Sequence, residues 1–288
     1  MIPSLPRPAW QRLGLGAFVG VFFVFLFVPL LVVAVFAFNN ADYPTPPWMG
    51  FTLDWFTAQG GARTGLLFDA ELLRALGVSA WVAVWVTLLS VGVGTCNAFL
   101  LERFEFAGKH ALALLAMLPL VIPGVILGIS ILALASRVAN WADEAWGLEL
   151  DFLRPGLALV VLGQFCYIVT IATLTVSASL RRLDRTLEEA ALNLGASRAA
   201  VLWTVTLPSL RPSMVGAAAM AFLMSFENFN TTLMLVGSDS PLTVLMYSRM
   251  REGATPVLNA VSLLLMVGSA AVALMLLLWR PAPNTSER

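Results

Sequence analysis

Glu227 is the one charged residue in the otherwise uncharged and mostly apolar run 212–238 of this 288-residue chain. If the run spans a membrane, a carboxylate there costs at least about 2.5 kcal/mol on insertion scales, which makes it a candidate functional group. On a helix, Asn230 and Thr231 share a face with Glu227. Such a patch can line a translocation pathway and attract a cationic substrate. The alternative is that the helix ends near Glu227 and the patch is a turn at the membrane interface.

Two tryptophans, Trp81 and Trp85, lie four residues apart in another apolar run, 75–101. Helical spacing places both rings on one face. There they can form part of an aromatic site for an ammonium group in the same pathway. Anchoring at the membrane interface, or packing between helices, is the alternative use of such a pair.

The composition is that of a membrane protein: 59% of the residues are hydrophobic and 12% are charged, whereas soluble domains carry about 25% charged residues. Two cysteines cannot form a disulfide scaffold, and 17 basic against 17 acidic residues give no field that would bind nucleic acid. His110 is the only histidine, and the chain has no Gly-x-Ser-x-Gly elbow. We therefore predict no catalytic centre and no metal site.

Six apolar runs are each long enough for the helix of about 20 residues that crosses a bilayer. They lack the alternation that is typical of outer-membrane barrels. The first run is too long for the core of a cleavable signal peptide and is predicted to be a retained span. The sequence thus predicts an all-α polytopic protein with one transmembrane domain and helices at 14–38, 75–101, 111–136, 155–180, 212–237 and 255–279.

Basic residues are divided unequally between the two sides of these six spans. Eleven of the 17 fall on the side that holds both chain ends, and loops rich in Lys and Arg face the cytoplasm. Both termini are therefore predicted to be cytoplasmic, together with the loop 181–211.

The third predicted span carries two prolines and two glycines. Proline removes a backbone hydrogen bond and glycine permits close approach of helices, so we expect a kinked, tightly packed helix. Pro123 and Gly124 are candidates for a hinge between inward-facing and outward-facing states. A static kink that suits packing is the alternative.

The loop 181–211 has the pattern of two short helices separated by a glycine. Thr186 and Glu189 match a capping box, Gly195 matches a helix C-terminus, and Ser197 can cap a second helix that ends near Pro208. A docking element, a helix that covers the protein's own spans and a membrane-surface helix all fit this pattern. The first helix has a narrow apolar stripe with two small residues at its centre: Leu183, Leu187, Ala190, Ala191 and Leu194.

This loop resembles the EAA signature of ABC-importer permeases, E-A-A-x3-G-x9-I-x-L-P. The match runs from Glu189-Ala190-Ala191 through Gly195 to Leu207-Pro208, and its one departure is Val205 in place of isoleucine. The resemblance implies a coupling helix that rests in a groove of a cytoplasmic ATPase subunit. By position, it assigns ATPase coupling to Glu188, Glu189, Ala190, Ala191, Gly195, Ala196, Leu207 and Pro208.

The chain has no Gly-x4-Gly-Lys-Ser/Thr phosphate loop. The same resemblance therefore implies that the chain is not an enzyme and carries no cofactor, and that ATP and Mg²⁺ are bound by the partner ATPase. On this basis we expect an ATPase dimer and the membrane as partners, and no nucleic acid.

Four further segments resemble the spermidine/putrescine-type permeases, and among these the second permease of the pair. The resemblance implies a bacterial inner-membrane importer with a homologous second permease and an extracytoplasmic solute-binding protein. Permeases for thiamine, iron, aminophosphonates or amino acids are alternatives in the same class, and a stand-alone secondary transporter is a more distant one. The segments are 48–56, 118–128, 225–229 and 251–262; within them Glu227-Asn228 stands where polyamine-type permeases commonly carry two aspartates.

Overall fold

The computed structural model describes residues 9–44, 46–61, 63–253 and 255–278. Within these ranges the regular structure is helical, and the β-pairing is limited to two isolated bridges. Helix α1 (Ala9–Phe36) is followed by the single turn α2 (Asp54–Thr57) and the long helix α3 (Ala70–Arg103). Arg7, Trp279, Arg280 and Arg288, which bear on the predicted orientation and on the end of the sixth span, lie outside the described residues.

The predicted third span, 111–136, is wrong as a single helix. It consists of α4 (Lys109–Val121) and α5 (Gly124–Trp146). Ile122, between them, is extended at φ −78° and ψ 128°, because a residue that precedes proline is disfavoured in the α region. Pro123 therefore begins a new helix at its N-cap position instead of kinking a continuous one.

The predicted fourth span corresponds to α6 (Leu157–Arg182). After it come α7 (Arg185–Asn193) and α8 (Arg198–Val201), and α8 runs through a π-helical turn, Leu202–Thr206, into α9 (Leu207–Phe226). The predicted fifth span, 212–237, is thus displaced: its helix starts earlier and stops at Phe226. A separate short helix, α10 (Asn230–Leu235), follows.

Two helices complete the fold, α11 (Leu242–Gly253), which the sequence pattern did not predict, and α12 (Val257–Leu278). Among the described residues, five helices are long and apolar enough to cross a membrane, and Lys109–Val121 and Val257–Val272 are shorter apolar stretches. The all-α polytopic class is confirmed, whereas the count of six spans stays a prediction. The five are Trp10–Phe36, Ala70–Arg103, Gly124–Trp146, Leu157–Arg182 and Arg198–Phe226.

The chain divides into two compact units, Met1–Ala70 with Arg249–Gly268, and Glu71–Ser248 with Ser269–Arg288. In the first unit, the buried Asn39 organises the loop after α1. Its side-chain oxygen accepts from the Met49 N–H at 2.8 Å, and its carbonyl accepts from the Trp55 indole N–H at 2.8 Å. The Arg63 guanidinium lies 4.8 Å from the Trp55 ring centroid. The loop is therefore folded by its own side-chain contacts and is not an irregular connection.

The second unit is built around α6, whose residues Leu159, Val160 and Ile168 are almost fully buried. They pack in one cluster with residues of α3, α5, α9 and α10. Gly94 lets α3 approach α6 closely, since a Cβ atom at that position would lie 2.8 Å from the Ala172 Cβ. Small residues at such crossings are the usual means of packing helices inside a membrane.

Candidate functional site

Helix α7 begins two residues earlier than the predicted capping box requires. Asp184 is the N-cap, and its carboxylate accepts from the Thr186 N–H at 2.9 Å. That backbone N–H lowers the pKa of the Asp184 carboxyl below its ordinary value, because the hydrogen bond favours the ionised form. Thr186 is thus in the first turn and does not cap the helix.

The end of α7 has the geometry that the sequence predicted. Gly195 is in the left-handed region, at φ +89°. Its N–H donates to the Leu192 carbonyl at 2.9 Å, and the Ala196 N–H donates to the Ala191 carbonyl at 3.1 Å. These two bonds form a Schellman motif. Ser197 then caps α8, since its hydroxyl accepts from the Ala200 N–H at 3.2 Å.

Most of the apolar stripe of α7 is exposed in this chain. Leu187 and Leu194 are 53% and 89% exposed, and Glu189 and Ala190 between them are also exposed. No residue of α7 is buried. Leu183, at the start of the stripe, packs against buried residues of α3, α6 and α9, and Ala191 is half-buried. Of the three alternatives, a cover for the protein's own spans therefore describes only part of the stripe, because its other members are exposed. An exposed apolar stripe of this kind is typical of a surface that contacts a partner or a membrane.

Glu188 is half-buried and makes contacts within the chain. Its Oε1 accepts from Arg103 Nη2 at 3.0 Å and from the Thr206 hydroxyl at 2.7 Å. The sequence did not predict these contacts, and a contact of Glu188 with the ATPase stays a prediction. Leu207 and Pro208, the last residues of the signature, are half-buried at the start of α9. Sequence spacing did not indicate the partner of Glu188, since Arg103 is 85 residues away.

The α9–α10 break, residues 227–229, carries the polar patch with which the sequence analysis began. Glu227 follows the last residue of α9 and is exposed, and Asn230 is the first residue of α10 and is also exposed. The predicted common helical face is therefore wrong, because the helix stops between them. Thr231 does not face a pathway in this chain: it is 1% exposed, and its hydroxyl donates to the Gly124 carbonyl at 3.3 Å.

A buried hydrogen-bond network holds this break. Gln164 on α6, which is 1% exposed, donates to the Thr232 hydroxyl at 2.8 Å and accepts from the Ser225 hydroxyl. The Thr232 hydroxyl in turn donates to the Asn228 side-chain oxygen at 2.9 Å. The Asn228 amide donates to the Tyr167 hydroxyl. Sequence reasoning missed Gln164, although it is the only amide side chain in the run 155–180.

Gly124, one of the two predicted hinge residues, packs against α10. A Cβ atom at Gly124 would lie 3.2 Å from the Asn230 Cβ and 3.2 Å from the Thr231 hydroxyl oxygen. At Gly128, a Cβ atom would lie 2.9 Å from the Met234 Cβ. Both glycines therefore permit the close contact of α5 with α10. The helix break at Pro123 exists, while movement about it stays a prediction.

Trp81 and Trp85 lie on the exposed side of α3, with ring centroids 6.1 Å apart. They border a shallow hollow whose other lining residues are apolar, namely Phe152, Ala158, Val161 and Leu162. Neither Glu227 nor Asn230 lines it. The structure therefore does not bring the two tryptophans and the carboxylate to one site.

We expect Gln164→Leu to lower the stability of the purified protein in detergent, because it leaves the Ser225 hydroxyl without its acceptor and removes one bond to Thr232. The expected loss is about 1–2 kcal/mol, the range for interhelical hydrogen bonds in model membrane helices. Thermal unfolding measures it. Gln59→Leu is the matched control, since Gln59 is exposed. Equal melting temperatures for the two variants would show that the network does not stabilise the fold.

No group of three or more His, Cys, Asp or Glu side chains that can hold a metal ion occurs in the described part of the chain. A cleft beside the candidate residues has a volume of about 960 Å³ and lies between α3, α7 and the residues 198–207. Its lining combines apolar side chains with polar and charged ones, among them Arg103, Arg185, Glu188, Glu189, Arg198 and Thr206.

Two curated relatives and one transporter of known structure are similar to this chain. The chain is 31% identical to the putrescine transport system permease protein PotI of Escherichia coli K12 over 246 residues, which are 85% of this chain and 82% of PotI. It is 28% identical to the spermidine/putrescine transport system permease protein PotC of Haemophilus influenzae over 258 residues, 89% of this chain and 92% of PotC.

A chain of a bacterial ABC transporter for import of the acidic polysaccharide alginate superposes with a TM-score of 0.73 at 17% identity, over 93% of each chain. Residues 90–280 match the family described as the binding-protein-dependent transport system inner membrane component. That match covers more than half of the chain and includes both the α7 signature and the α9–α10 break. The chain therefore belongs to this family of inner-membrane permeases of ABC importers, in which the ATPase is a separate subunit, and it is not itself an enzyme.

Proposed function

We propose that the solute carried by this permease is a polyamine, putrescine or spermidine, which passes from a solute-binding protein into the cytoplasm. The observation that carries the proposal is Glu227, whose exposed carboxylate lies at a helix break between apolar helices. A carboxylate fixed at a protein surface attracts an ammonium group more strongly than one in bulk water does. The names of the two curated relatives support the same substrate class.

Helix α7 is the element that would receive the ATPase. Its exposed Leu187, Ala190 and Leu194 form the apolar contact, and Glu189 adds a polar one. ATP and Mg²⁺ are bound by the ATPase dimer and not by this chain. Closure of that dimer would move α7, and the spans would reorient and release the solute inward.

A homologous second permease would complete the membrane part. Helix α1 supports this arrangement, because 0% of its most apolar membrane-spanning stretch is buried within this chain. Lipid and a second subunit can cover such a helix, and a heterodimer agrees with the two-permease pattern of polyamine systems.

We also propose that both termini and the loop 181–211 lie in the cytoplasm, because this side of the membrane carries the excess of basic residues.

Uptake by the reconstituted complex tests the substrate. We expect proteoliposomes that contain this chain, its second permease, the ATPase and the binding protein to accumulate radiolabelled putrescine or spermidine in an ATP-dependent manner. Vesicles without the ATPase are the control, and uptake by them would favour a secondary transporter. The polyamine proposal fails if neither amine competes for uptake while an unrelated solute such as thiamine or ferric iron does.

A further inference from the structure

Glu188 joins three segments of the chain that are distant in sequence. Arg103 is the last residue of α3, Glu188 lies in the first turn of α7, and Thr206 is the last residue of the π-helical turn before α9. The Arg103 and Glu188 side chains are 14% and 19% exposed, and Thr206 is 2% exposed. We call these three residues the α7 junction.

The α7 junction joins α7 to α3 and to the π-helical turn by two side-chain hydrogen bonds. No residue of α7 is buried, and Leu187, Leu192 and the following Leu194 are exposed. A displacement of α7 can therefore reach the spans through the two ends of the helix and through Glu188. Hydrogen bonds to a charged group are roughly twice as strong as neutral ones, so Glu188 is a firm point of attachment.

The segment on which Thr206 lies adds a reason to expect movement there. Leu202–Thr206 form a π-helical turn, closed by the bond from the Leu207 N–H to the Leu202 carbonyl. Single π-helical turns inside α-helices occur frequently at functional sites. This turn leads directly into α9, at whose far end Glu227 is located.

We propose that the α7 junction transmits the movement of the coupling helix to α3 and α9, with Arg103 and Glu188 as positioning residues for transport. The inference rests on the proposed docking of the ATPase on α7. It differs from that docking, because the Glu188 carboxylate is half-buried and is bound by Arg103 and Thr206 of this chain. Its effect is on how much solute each ATP moves, and not on whether the ATPase binds.

The test uses charge reversal in the complete complex of both permeases, ATPase and binding protein in proteoliposomes. We expect Glu188→Arg, which places two guanidinium groups together, to lower the number of solute molecules moved per ATP by about tenfold, a typical coupling factor. The ATPase is expected to co-purify as it does with the unchanged chain. The double variant Glu188→Arg with Arg103→Glu restores the opposite charges, and we expect it to recover most of the solute transport per ATP.

A neighbouring ion pair provides the matched control. Glu102 and Arg181 are bonded at 2.7 Å and join α3 to α6 without touching α7. Glu102→Arg is therefore expected to leave the ratio of transport to ATP hydrolysis unchanged. Thr206→Val, which keeps the side-chain shape and removes the hydroxyl, is expected to lower that ratio by about threefold, since it removes one hydrogen bond of roughly 0.6 kcal/mol.

Each outcome decides a separate point. The junction is refuted if Glu188→Arg and Thr206→Val transport as much solute per ATP as the unchanged complex, or if the double variant recovers nothing while Glu102→Arg is normal. If the Glu188→Arg variant does not assemble into the complex, the transport per ATP of the Thr206→Val variant decides whether the junction transmits movement. Co-purification of the ATPase with the Ala190→Glu variant tests the docking surface by itself, and we expect it to be lost. An error in the proposed docking and an error in the proposed junction therefore give different results.

Discussion

Glu227→Gln should lower the uptake of a polyamine by about tenfold at limiting solute, while the complex still assembles and hydrolyses ATP. The substitution keeps the size and the hydrogen-bonding capacity of the side chain and removes one charge. A tenfold change corresponds to about 1.4 kcal/mol, which lies below the roughly 4 kcal/mol of an unscreened contact at 4 Å near a protein surface. The exposure of Glu227 and residual water account for the smaller value.

Uptake kinetics at varied solute concentration measure this effect. Glu149→Gln is the matched control, because Glu149 is also exposed but lies in the loop between α5 and α6. Glu227→Asp, which keeps the charge, should retain more uptake than Glu227→Gln. Equal uptake by Glu227→Gln and the unchanged complex would remove Glu227 from the solute pathway and, with it, the main structural support for a cationic solute.

The sequence predicted the helical class and most of the spans, because a segment in lipid must be apolar over its whole length and must satisfy its backbone within a helix. It predicted a kink instead of a break in one run and left a second break open. The break between α4 and α5 has a local signal in Pro123, although a proline inside an apolar run does not by itself distinguish a kink from an end. A helix end near Glu227 was one of two alternatives, because polar residues interrupt the run there, whereas the contacts of Gln164, in another helix, with Ser225 and Thr232 on either side of the break were not predicted.

The loop 181–211 also contains features that the sequence predicted and features that it did not. The glycine turn at Gly195 and the cap at Ser197 were predictable, since both depend on neighbours within six residues along the chain. The contacts of Glu188 were not, because two adjacent glutamates have the same local pattern, and the residues that distinguish them, Arg103 and Thr206, are distant in sequence. The resemblance to the EAA signature placed both on the ATPase surface. In the structure Glu189 is exposed and Glu188 is half-buried and bound within the chain, and the two therefore have different expected phenotypes.

Gly195 is the position of the loop where a substitution should most strongly affect ATPase docking. Its φ of +89° costs an L-residue with a side chain about 1–2 kcal/mol, and the Schellman bonds to Leu192 and Ala191 depend on that conformation. Gly195→Val is therefore expected to unwind the end of α7, to displace the exposed Leu194, and to reduce co-purification of the ATPase by about tenfold.

A graded series separates this conformational effect from the effect of added volume. No atom lies within 4 Å of a Cβ placed at Gly195, so a side chain there meets open space and only the backbone is strained. Asparagine tolerates the left-handed region better than other residues, and Gly195→Asn should retain more ATPase than Gly195→Val. Gly216→Ala, on α9, also adds a methyl group to open space, but at a helical φ, and it should bind ATPase normally. If Gly195→Val binds ATPase as well as Gly216→Ala does, the geometry of this turn does not control docking, because the strain is present in one variant and absent from the other.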